Sequence, residues 1–463
     1  MAAAARPRSP PSGVVLERSV ALEAPPAGLE QEWAIVECAK KTAYGCGDHG
    51  QMVVDGLTLH ARLVSSPDLT SALYIHLNDD ALRGIQAQFG LSIDGPLISI
   101  DREHGLYVRG SVVAADERFL IIVVLFRLVD AAGERQYYLV YDAADESLSM
   151  IPFLPEECTC YYTLVPVPVP RAHGGGYELL LPAQKRLPTP PEGGCLRYED
   201  VLCAWTPSAA AEEPDDGIGP WRIKGRWRDP EEAEDYFHAE VAFSFQGTAF
   251  WVDLSKGIVY HHNVPAVAGN DDPVVECGFI GLPPGCPPDE RWTKPKFRQE
   301  DIYRMNVDRT MGVVAGAIRF VCIDRRAQQH GDCTVTVWTL DMAGQQQQWT
   351  QHQRFRTEDL WRLRGFKMDR LPKTQPRFPI LMADGTLCLL LRNKPRRRKD
   401  PAEDYICNLA LGHMGDMSSM SLLWSGRLHY YHTTDEPLVV PFSFFRTLHL
   451  LDPRKSGLRG IFT

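Results

Sequence analysis

The chain has no apolar run long enough to cross a membrane as a helix. Its longest run, Phe119 to Phe126, is far shorter than the about 20 residues that such a helix needs. A short run of this kind predicts a buried strand, and we expect no membrane partner. The segment Met1 to Pro11 has no apolar centre, so it does not resemble a secretory signal. Arg6 and Arg8, with no acidic residue nearby, leave a transit peptide open.

The chain also lacks an excess of basic residues. Lys and Arg together number 49 and Asp and Glu number 59, which gives a net charge of -10. A dedicated nucleic-acid-binding protein presents a basic face, so we expect no such function. Without a secretory signal, a reducing compartment is expected. The 12 cysteines are then predicted to be free thiols, and the predicted location is the cytoplasm.

Signatures of catalysis are missing as well. The chain contains no P-loop, no nucleophile elbow and no helical zinc-protease motif. We therefore predict no catalytic residue and no cofactor-binding residue. An enzyme function stays open, because active sites can also be assembled from scattered loop residues.

The thiols and imidazoles do not form a metal-binding pattern. Cys158 and Cys160 would share one face of a strand, but structural zinc needs four ligands and no second pair lies at a suitable spacing. The neighbours in His261–His262 would point to opposite faces, and His429 and His432 have the wrong parity for a shared face. We predict no metal site here, only hydrogen-bonded histidines.

Strand patterns dominate what is present. Val241–Phe245 alternates large and small side chains, Thr334–Leu340 opens with β-branched residues, and Tyr137–Tyr141 has a similar pattern. Short helices are predicted at two places. Asp229–Tyr236 begins with an Asp-Pro helix start, and Thr357–Leu363 has Thr357 as its expected cap.

One pattern recurs four times along the chain. Gly247, Gly316, Gly385 and Gly426 each open a strand-like run with apolar residues at its third, fifth and sixth positions. Glycine tolerates the positive φ that tight hairpins need, and hairpin units recurring at roughly 40–50 residues are typical of propellers. The predicted fold class is all-β: a propeller-like array of antiparallel short-strand units with long loop insertions and few short helices. A β-sandwich or mixed barrel is the alternative.

Three aspartates lie at or just before predicted hairpin turns: Asp142, Asp253 and Asp341. An aspartate in this position accepts hydrogen bonds from nearby backbone amides and tightens the turn. We therefore predict a structural role for these carboxylates.

Composition shifts divide the chain into five expected parts. The most evident internal break is the Pro-, Ala- and Gly-rich stretch after Trp205. The predicted parts are a flexible Pro/Ala-rich N-terminus (1–30), an N-terminal β region (31–205), a linker or long loop (206–230), a main repeat region (231–395) and a C-terminal β segment that completes the fold (396–463).

A single basic cluster interrupts the acidic chain between two strand-like runs. Flanking prolines disfavour continued strand pairing, so we expect an exposed hairpin loop. Such a run can act as a nuclear-import signal or contact an acidic partner, or be only a solvated loop. These candidate interaction residues are Lys394, Arg396, Arg397, Arg398 and Lys399.

The chain from Phe250 onward resembles a known family. The matching segments, in the family's order, are Phe250–Tyr260, Phe279–Pro284, Gly316–Val321, Val337–Leu340 with Trp349, and Phe378–Gly385. This region looks like the plant domain-of-unknown-function 1618 family, which is expanded in grasses. Its members look distantly similar to the propeller-like regions attached to F-box proteins. The resemblance implies no activity and no catalytic residues.

Two functions follow as hypotheses. Repeated β units with long polar loops favour a non-enzymatic protein-interaction module, because loops on a rigid β scaffold commonly carry binding. The partner is then an unidentified protein, and the location is cytoplasmic with a nuclear share if the basic cluster directs import. The alternative is an enzyme or small-ligand binder that uses loop residues on the same propeller scaffold.

Overall fold

The part of the chain that the computed structural model describes is all-β. About 61% of it is strand and about 10% helix, which confirms the predicted all-β class. The described residues are 14–21, 33–62, 71–100, 105–115, 118–129, 133–154, 158–159, 165–171, 176–187, 197–207, 221–227, 237–262, 274–286, 307–325, 332–342, 347–382, 384–393, 403–411, 420–428 and 439–442.

Sheet 1 is the largest of the five sheets that the described strands form. Its strands follow the order β2-β4-β5-β1-β6-β7-β8-β9-β3, and β28 also pairs with β1. These strands are β1 (Val14–Ala21), β2 (Ala34–Ile35), β3 (Lys40–Ala43), β4 (Leu57–Arg62), β5 (Ser71–Leu77), β6 (Leu106–Ala115), β7 (Phe119–Leu128), β8 (Glu134–Asp142), β9 (Ser147–Pro152) and β28 (Val439–Phe442).

Two helices pack on sheet 1, α1 (Gly50–Asp55) and α2 (Asp79–Gln88). The Asn78 side chain caps α2 by accepting a hydrogen bond from the Ala81 amide at 2.9 Å, as N-cap residues commonly do. Leu82 and Ile85 lie one turn apart and are buried against sheet 1. These helices were not anticipated from the sequence.

Sheet 2 follows sheet 1 along the chain. Its strands are β10 (Cys158–Thr159), β11 (Val167–Pro170), β12 (Tyr177–Arg186), β13 (Tyr198–Trp205), β14 (Arg222–Trp227) and β18 (Val274–Val275). Strands β12, β13 and β14 pair antiparallel in sequence order, whereas β14 and β18 pair in parallel.

Sheets 3, 4 and 5 are four-stranded and antiparallel, with strands in sequence order. This regularity is the repeat that the glycine pattern predicts. Sheet 3 contains β15 (Val241–Phe245), β16 (Thr248–Asp253), β17 (Gly257–His262) and β19 (Gly278–Gly281). Sheet 4 contains β20 (Arg309–Val314), β21 (Ala317–Asp324), β22 (Thr334–Asp341) and β23 (Gln348–Arg356). Sheet 5 contains β24 (Pro376–Leu381), β25 (Leu387–Asn393), β26 (Glu403–Ala410) and β27 (Ser421–Leu428).

Three of the four predicted glycine turns connect the first and second strands of sheets 3, 4 and 5. In Gln246–Gly247 and Ala315–Gly316 both residues have a positive φ, as in the tight turns that suit twisted hairpins, and Gly385 has a φ of 90°. The prediction at Gly426 is wrong. Gly426 lies inside β27 and pairs with Ile406, because the apolar run after it does not start a new hairpin.

Apolar clusters join each sheet to the next. Trp205 and Trp221 fill the interface of sheets 1 and 2, Trp251 that of sheets 2 and 3, and Phe320 that of sheets 3 and 4. Phe355 and several leucines fill the interface of sheets 4 and 5. The large apolar side chains predicted to fill the core therefore hold a consecutive array of sheets together.

The last described strand returns to the first one. Strand β28 pairs antiparallel with β1, with Leu16 opposite Val440, and it also contacts β24 of sheet 5. Strand β1 lies within residues 1–30, which were expected to be flexible. Leu16 and Val20 are buried there, and this burial accounts for the difference.

Register shifts mark β14 and the two edge strands β23 and β27. The pairings β13–β14, β22–β23 and β26–β27 each shift by one residue, so the second strand of each pair carries an extra residue. The extra residues are Lys224, His352 and Leu423. Such bulges increase the local twist of a strand and help to keep an exposed edge from pairing with another chain.

The structure differs in detail from the sequence predictions for the expected linker (206–230) and for the helix expected from Thr357. Strand β14 lies within residues 206–230, the expected linker. The helix predicted from Thr357 is present as α3 (Thr357–Arg362), followed by α4 (Arg364–Met368). Thr357 is its first residue and not its cap, because its hydroxyl accepts a hydrogen bond from the Cys333 amide and donates one to Asp332. The helix predicted at 229–236 lies wholly outside the described residues.

Candidate functional site

Asp253 and Asp142, two of the three predicted turn aspartates, accept hydrogen bonds from the backbone, as predicted. One carboxylate oxygen of Asp253 accepts hydrogen bonds from the amides of Ser255 at 2.8 Å and Lys256 at 3.1 Å, and the other accepts from the His238 amide at 3.0 Å. Asp142 accepts from the Ala144 amide at 3.0 Å. These carboxylates are therefore committed to holding turns.

Asp142 also forms a two-pronged ion pair. The Nε and Nη2 atoms of Arg118 lie 2.7 and 2.6 Å from its two carboxylate oxygens. Arg392 contacts Asp404 in the same way, at 2.8 and 3.0 Å. Both aspartates are buried, and such forked pairing is the strongest arrangement available to a guanidinium.

A second carboxylate, Glu240, holds the β16–β17 turn from the other side. It accepts a hydrogen bond from the Leu254 amide at 2.8 Å, while Arg309 donates to the Leu254 carbonyl at 2.7 Å. Burial and, next, the negative charge of Asp253 raise the pKa of Glu240 well above its ordinary value. Sequence analysis missed Glu240 because its role depends on a turn formed 14 residues later.

His261 and His262 each have a hydrogen-bond partner at Nδ1, whereas Nε2 of His261 is buried without a partner among the described residues. His261 is buried and its Nδ1 lies 3.1 Å from the Glu276 carbonyl, whereas His262 is exposed and its Nδ1 lies 2.9 Å from the Thr248 hydroxyl. They point to opposite faces, as predicted. Burial lowers the pKa of His261, which favours the neutral ring. His429 and His432 lie outside the described residues.

Three exposed turns form a further feature, which we call the hairpin tips: Gln246–Gly247, Ala315–Gly316 and Asp384–Gly385. Phe245, which directly precedes the first tip, and Val313, which lies two residues before the second, pack against one apolar cluster. The third lies beside Arg319 of sheet 4, whose Nη1 is 3.4 Å from the Gly385 carbonyl. These contacts bring the tips to one end of sheets 3, 4 and 5.

Arg319 differs from Arg118 and Arg392, which each contact a carboxylate. Among the described residues, its Nη1 contacts the neutral Gly385 carbonyl, and its Nε is buried without a hydrogen-bond acceptor. Burial lowers the pKa of Arg319. No local sequence pattern marks this residue, because its surroundings come from two sheets.

The predicted basic cluster, Lys394, Arg396, Arg397, Arg398 and Lys399, lies outside the described residues. Its flanks are described. Strands β25 and β26 pair antiparallel as far as Asn393 opposite Glu403, so the cluster belongs to the segment that links two hairpin strands. Cys160 also lies outside, and the ten described cysteines are all free thiols.

Two further features are absent from the described residues. No group of three or more His, Cys, Asp and Glu side chains there could hold a metal ion. No described helix is long and apolar enough to cross a membrane.

The fold and these sites define an all-β protein whose sheets are arrayed in sequence and whose buried acids hold turns. Residues 251–388 match the sequence model of the family described as protein of unknown function (DUF1618). The match confirms the resemblance seen in the sequence over this part of the chain, from β16 through sheet 4 into β25. No curated protein matches the chain. The family description assigns no activity.

Proposed function

We propose that this protein is a non-enzymatic interaction module that binds a partner protein at the hairpin tips. The observation that carries the proposal is the presence of three exposed turns at one end of three consecutive sheets. Two of them hold both tip residues at positive φ. A binding surface built on such tight turns is already ordered before the partner arrives, which lowers the entropy cost of association.

The surroundings of the tips support the proposal. Each tip joins strands whose apolar side chains are buried between sheets, so the tips are fixed to a rigid frame. The Asp384 carboxylate at the third tip is held in place as well, since it accepts hydrogen bonds from the Thr386 amide at 3.0 Å and from the Thr386 hydroxyl at 2.7 Å. Rigid frames with exposed turns are a common basis for recognition.

Proximity labelling in cells tests the proposal. The wild-type chain is compared with Ala315→Arg, which adds a long charged side chain at a tip, and with Gln351→Arg, which adds the same side chain on the exposed outer strand β23. We expect a reproducible set of labelled proteins that Ala315→Arg loses and Gln351→Arg keeps. An unchanged set in Ala315→Arg, or no reproducible set for the wild type, contradicts the proposal.

We further propose that the protein acts in the cytoplasm and that any nuclear share depends on the basic cluster. The support is the composition of the cluster and its position between two paired hairpin strands. Exposed runs of Lys and Arg are typical import signals.

A further inference from the structure

The guanidinium of Arg319 lies in the interface between sheets 4 and 5. Arg319 is on the central strand β21, directly opposite Gly312 on β20 and Thr339 on β22. Val321, two residues further along, belongs to the apolar cluster shared with sheet 5. Because side chains two residues apart share a face of a strand, Arg319 points toward sheet 5.

The donors of Arg319 have little to bind within the described part of the chain. The contact of Nη1 with the Gly385 carbonyl is long, at 3.4 Å, and the buried Nε has no acceptor. Arg118 and Arg392 each meet a carboxylate through two bonds of 3.0 Å or less. A partly buried charge is normally matched by an opposite charge, but Arg319 contacts no carboxylate within the described part of the chain.

Open space lies beside this guanidinium. Gly312 and Arg319 are direct cross-strand partners, and the side chains of such partners lie on one face. A methyl group added at Gly312 would have no atom within 4 Å. On the other side, a methyl group at Gly385 would lie 3.7 Å from Nη1 of Arg319 and 3.9 Å from Val314. The opening is therefore bounded by Arg319, Val314 and the tip at Gly385.

We propose that Arg319 is a carboxylate-binding site that receives an Asp or Glu side chain of the partner protein. This inference rests on the proposed function, because the opening lies next to two of the hairpin tips. A planar guanidinium donates two parallel bonds to a planar carboxylate. The single positive charge here matches a single negative charge.

The first experiment measures anion binding without any partner. The full chain is labelled with ¹⁵N-arginine, and the Nε–H signals are followed during titration with sodium acetate at constant ionic strength. The Arg319 signal is assigned with Arg319→Lys, and exposed Arg354 serves as the reference. We expect a saturable shift for Arg319 and none for Arg354. A shift of Arg319 that is no larger than that of Arg354, or that does not saturate, overturns the site.

The second experiment decides the source of the carboxylate. Proximity labelling is repeated with Arg319→Gln and with the control Arg354→Gln, after both variants are shown to unfold at the wild-type temperature or within a few degrees of it. We expect Arg319→Gln to reduce the labelled set that depends on Ala315 by about tenfold, with Arg354→Gln unchanged. If Arg319→Gln unfolds, Arg319→Lys replaces it. This variant keeps the positive charge but cannot donate two parallel hydrogen bonds to a carboxylate.

The outcomes separate the two proposals. A saturable acetate shift with an undiminished labelled set overturns the partner as the source of the carboxylate and assigns the site to small carboxylates. Absence of any labelled set for the wild type contradicts the proposed function, and the acetate titration then decides the Arg319 site alone.

Discussion

At the scale of single residues, backbone conformation decides what the hairpin tips tolerate. Gly385 has a φ of 90°, where side chains other than glycine are strained. A methyl group at this position would have no contact shorter than 3.7 Å. The cost of a substitution there therefore comes from the backbone and not from a clash.

We predict that Gly385→Val lowers the free energy of unfolding by about 1 kcal/mol or more. Urea denaturation measures the change. The control is Gly281→Val, because Gly281 has no positive φ and a methyl group there has no atom within 4 Å. Equal stability of Gly385→Val and the wild type would show that the turn does not need its left-handed residue.

Glu240 gives stability a dependence on pH. Its folded pKa is raised by burial and by the charge of Asp253, so the folded protein holds this proton more tightly than the unfolded chain. The associated stability is fully present below the unfolded pKa and is lost as pH rises through the folded pKa.

We predict that Glu240→Gln, which keeps an oxygen for the Leu254 amide, becomes increasingly stable relative to the wild type as pH rises from about 4 to about 8. Denaturation midpoints across that range measure the difference. Exposed Glu134 supplies the control, Glu134→Gln, for which we expect no such trend. Parallel curves for the wild type and Glu240→Gln would contradict the prediction.

At the scale of elements, the β25–β26 hairpin is held by a cross-strand ion pair. Arg392 and Asp404 are direct partners, and the Asp404 side chain is only 6% exposed whereas that of Arg392 is 28% exposed. Removing the carboxylate leaves a partly buried guanidinium without its two best acceptors.

We predict that Asp404→Ala lowers the free energy of unfolding by about 1–3 kcal/mol. Glu403→Ala, which breaks the more exposed pair with Arg427, should cost less than about 1 kcal/mol. Urea denaturation compares the two variants. Equal costs would mean that burial of the Arg392–Asp404 pair does not matter to stability.

Elements made of local pairs could be predicted from the sequence, and others could not. Strands β15, β22 and β8 follow β-branched or alternating runs, and the turns at Gly247, Gly316 and Gly385 follow from the φ that hairpins need. Helix α2 had a usable signal in the cap at Asn78 and the spacing of Leu82 and Ile85. The turn predicted at Gly426 was wrong, because a glycine followed by an apolar run also occurs within a strand.

The candidate sites were less predictable than the strands. Arg319 and Glu240 acquire their properties from segments that are distant in sequence or belong to another sheet. The order of sheet 1, with its parallel pairs β1–β5 and β3–β9, is equally nonlocal. Turn signals indicate only which neighbouring strands pair antiparallel. The surroundings of Arg319 and Glu240 and the strand order of sheet 1 therefore could not be derived from local patterns.

At the scale of the whole molecule, the pairing of β1 with β28 links the two ends of the described array. We predict that a chain ending at Leu438 unfolds at a lower temperature than a chain ending at Phe442, because it lacks the strand that pairs with Leu16 and its neighbours. Calorimetry of both chains measures the difference. Identical transitions would show that β28 contributes nothing to stability.

Cellular distribution also belongs to this scale. We predict that changing Arg396, Arg397 and Arg398 to Ala removes the nuclear share of a fluorescent fusion too large for passive entry. The control changes three exposed arginines elsewhere, Arg354, Arg362 and Arg364, and should leave the distribution unaltered. A nuclear share that persists without the basic cluster excludes its import role.

The pairing of β1 with β28 has a consequence for synthesis. The ribosome produces β1 before every other described strand and its partner β28 after all of them. At about 5–20 residues per second, β1 waits on the order of tens of seconds for that partner. During this time its β28-facing backbone groups are open to other strands or to chaperones. Premature termination shortly before β28 would therefore release chains that carry every sheet but expose the edge most able to recruit a neighbouring polypeptide.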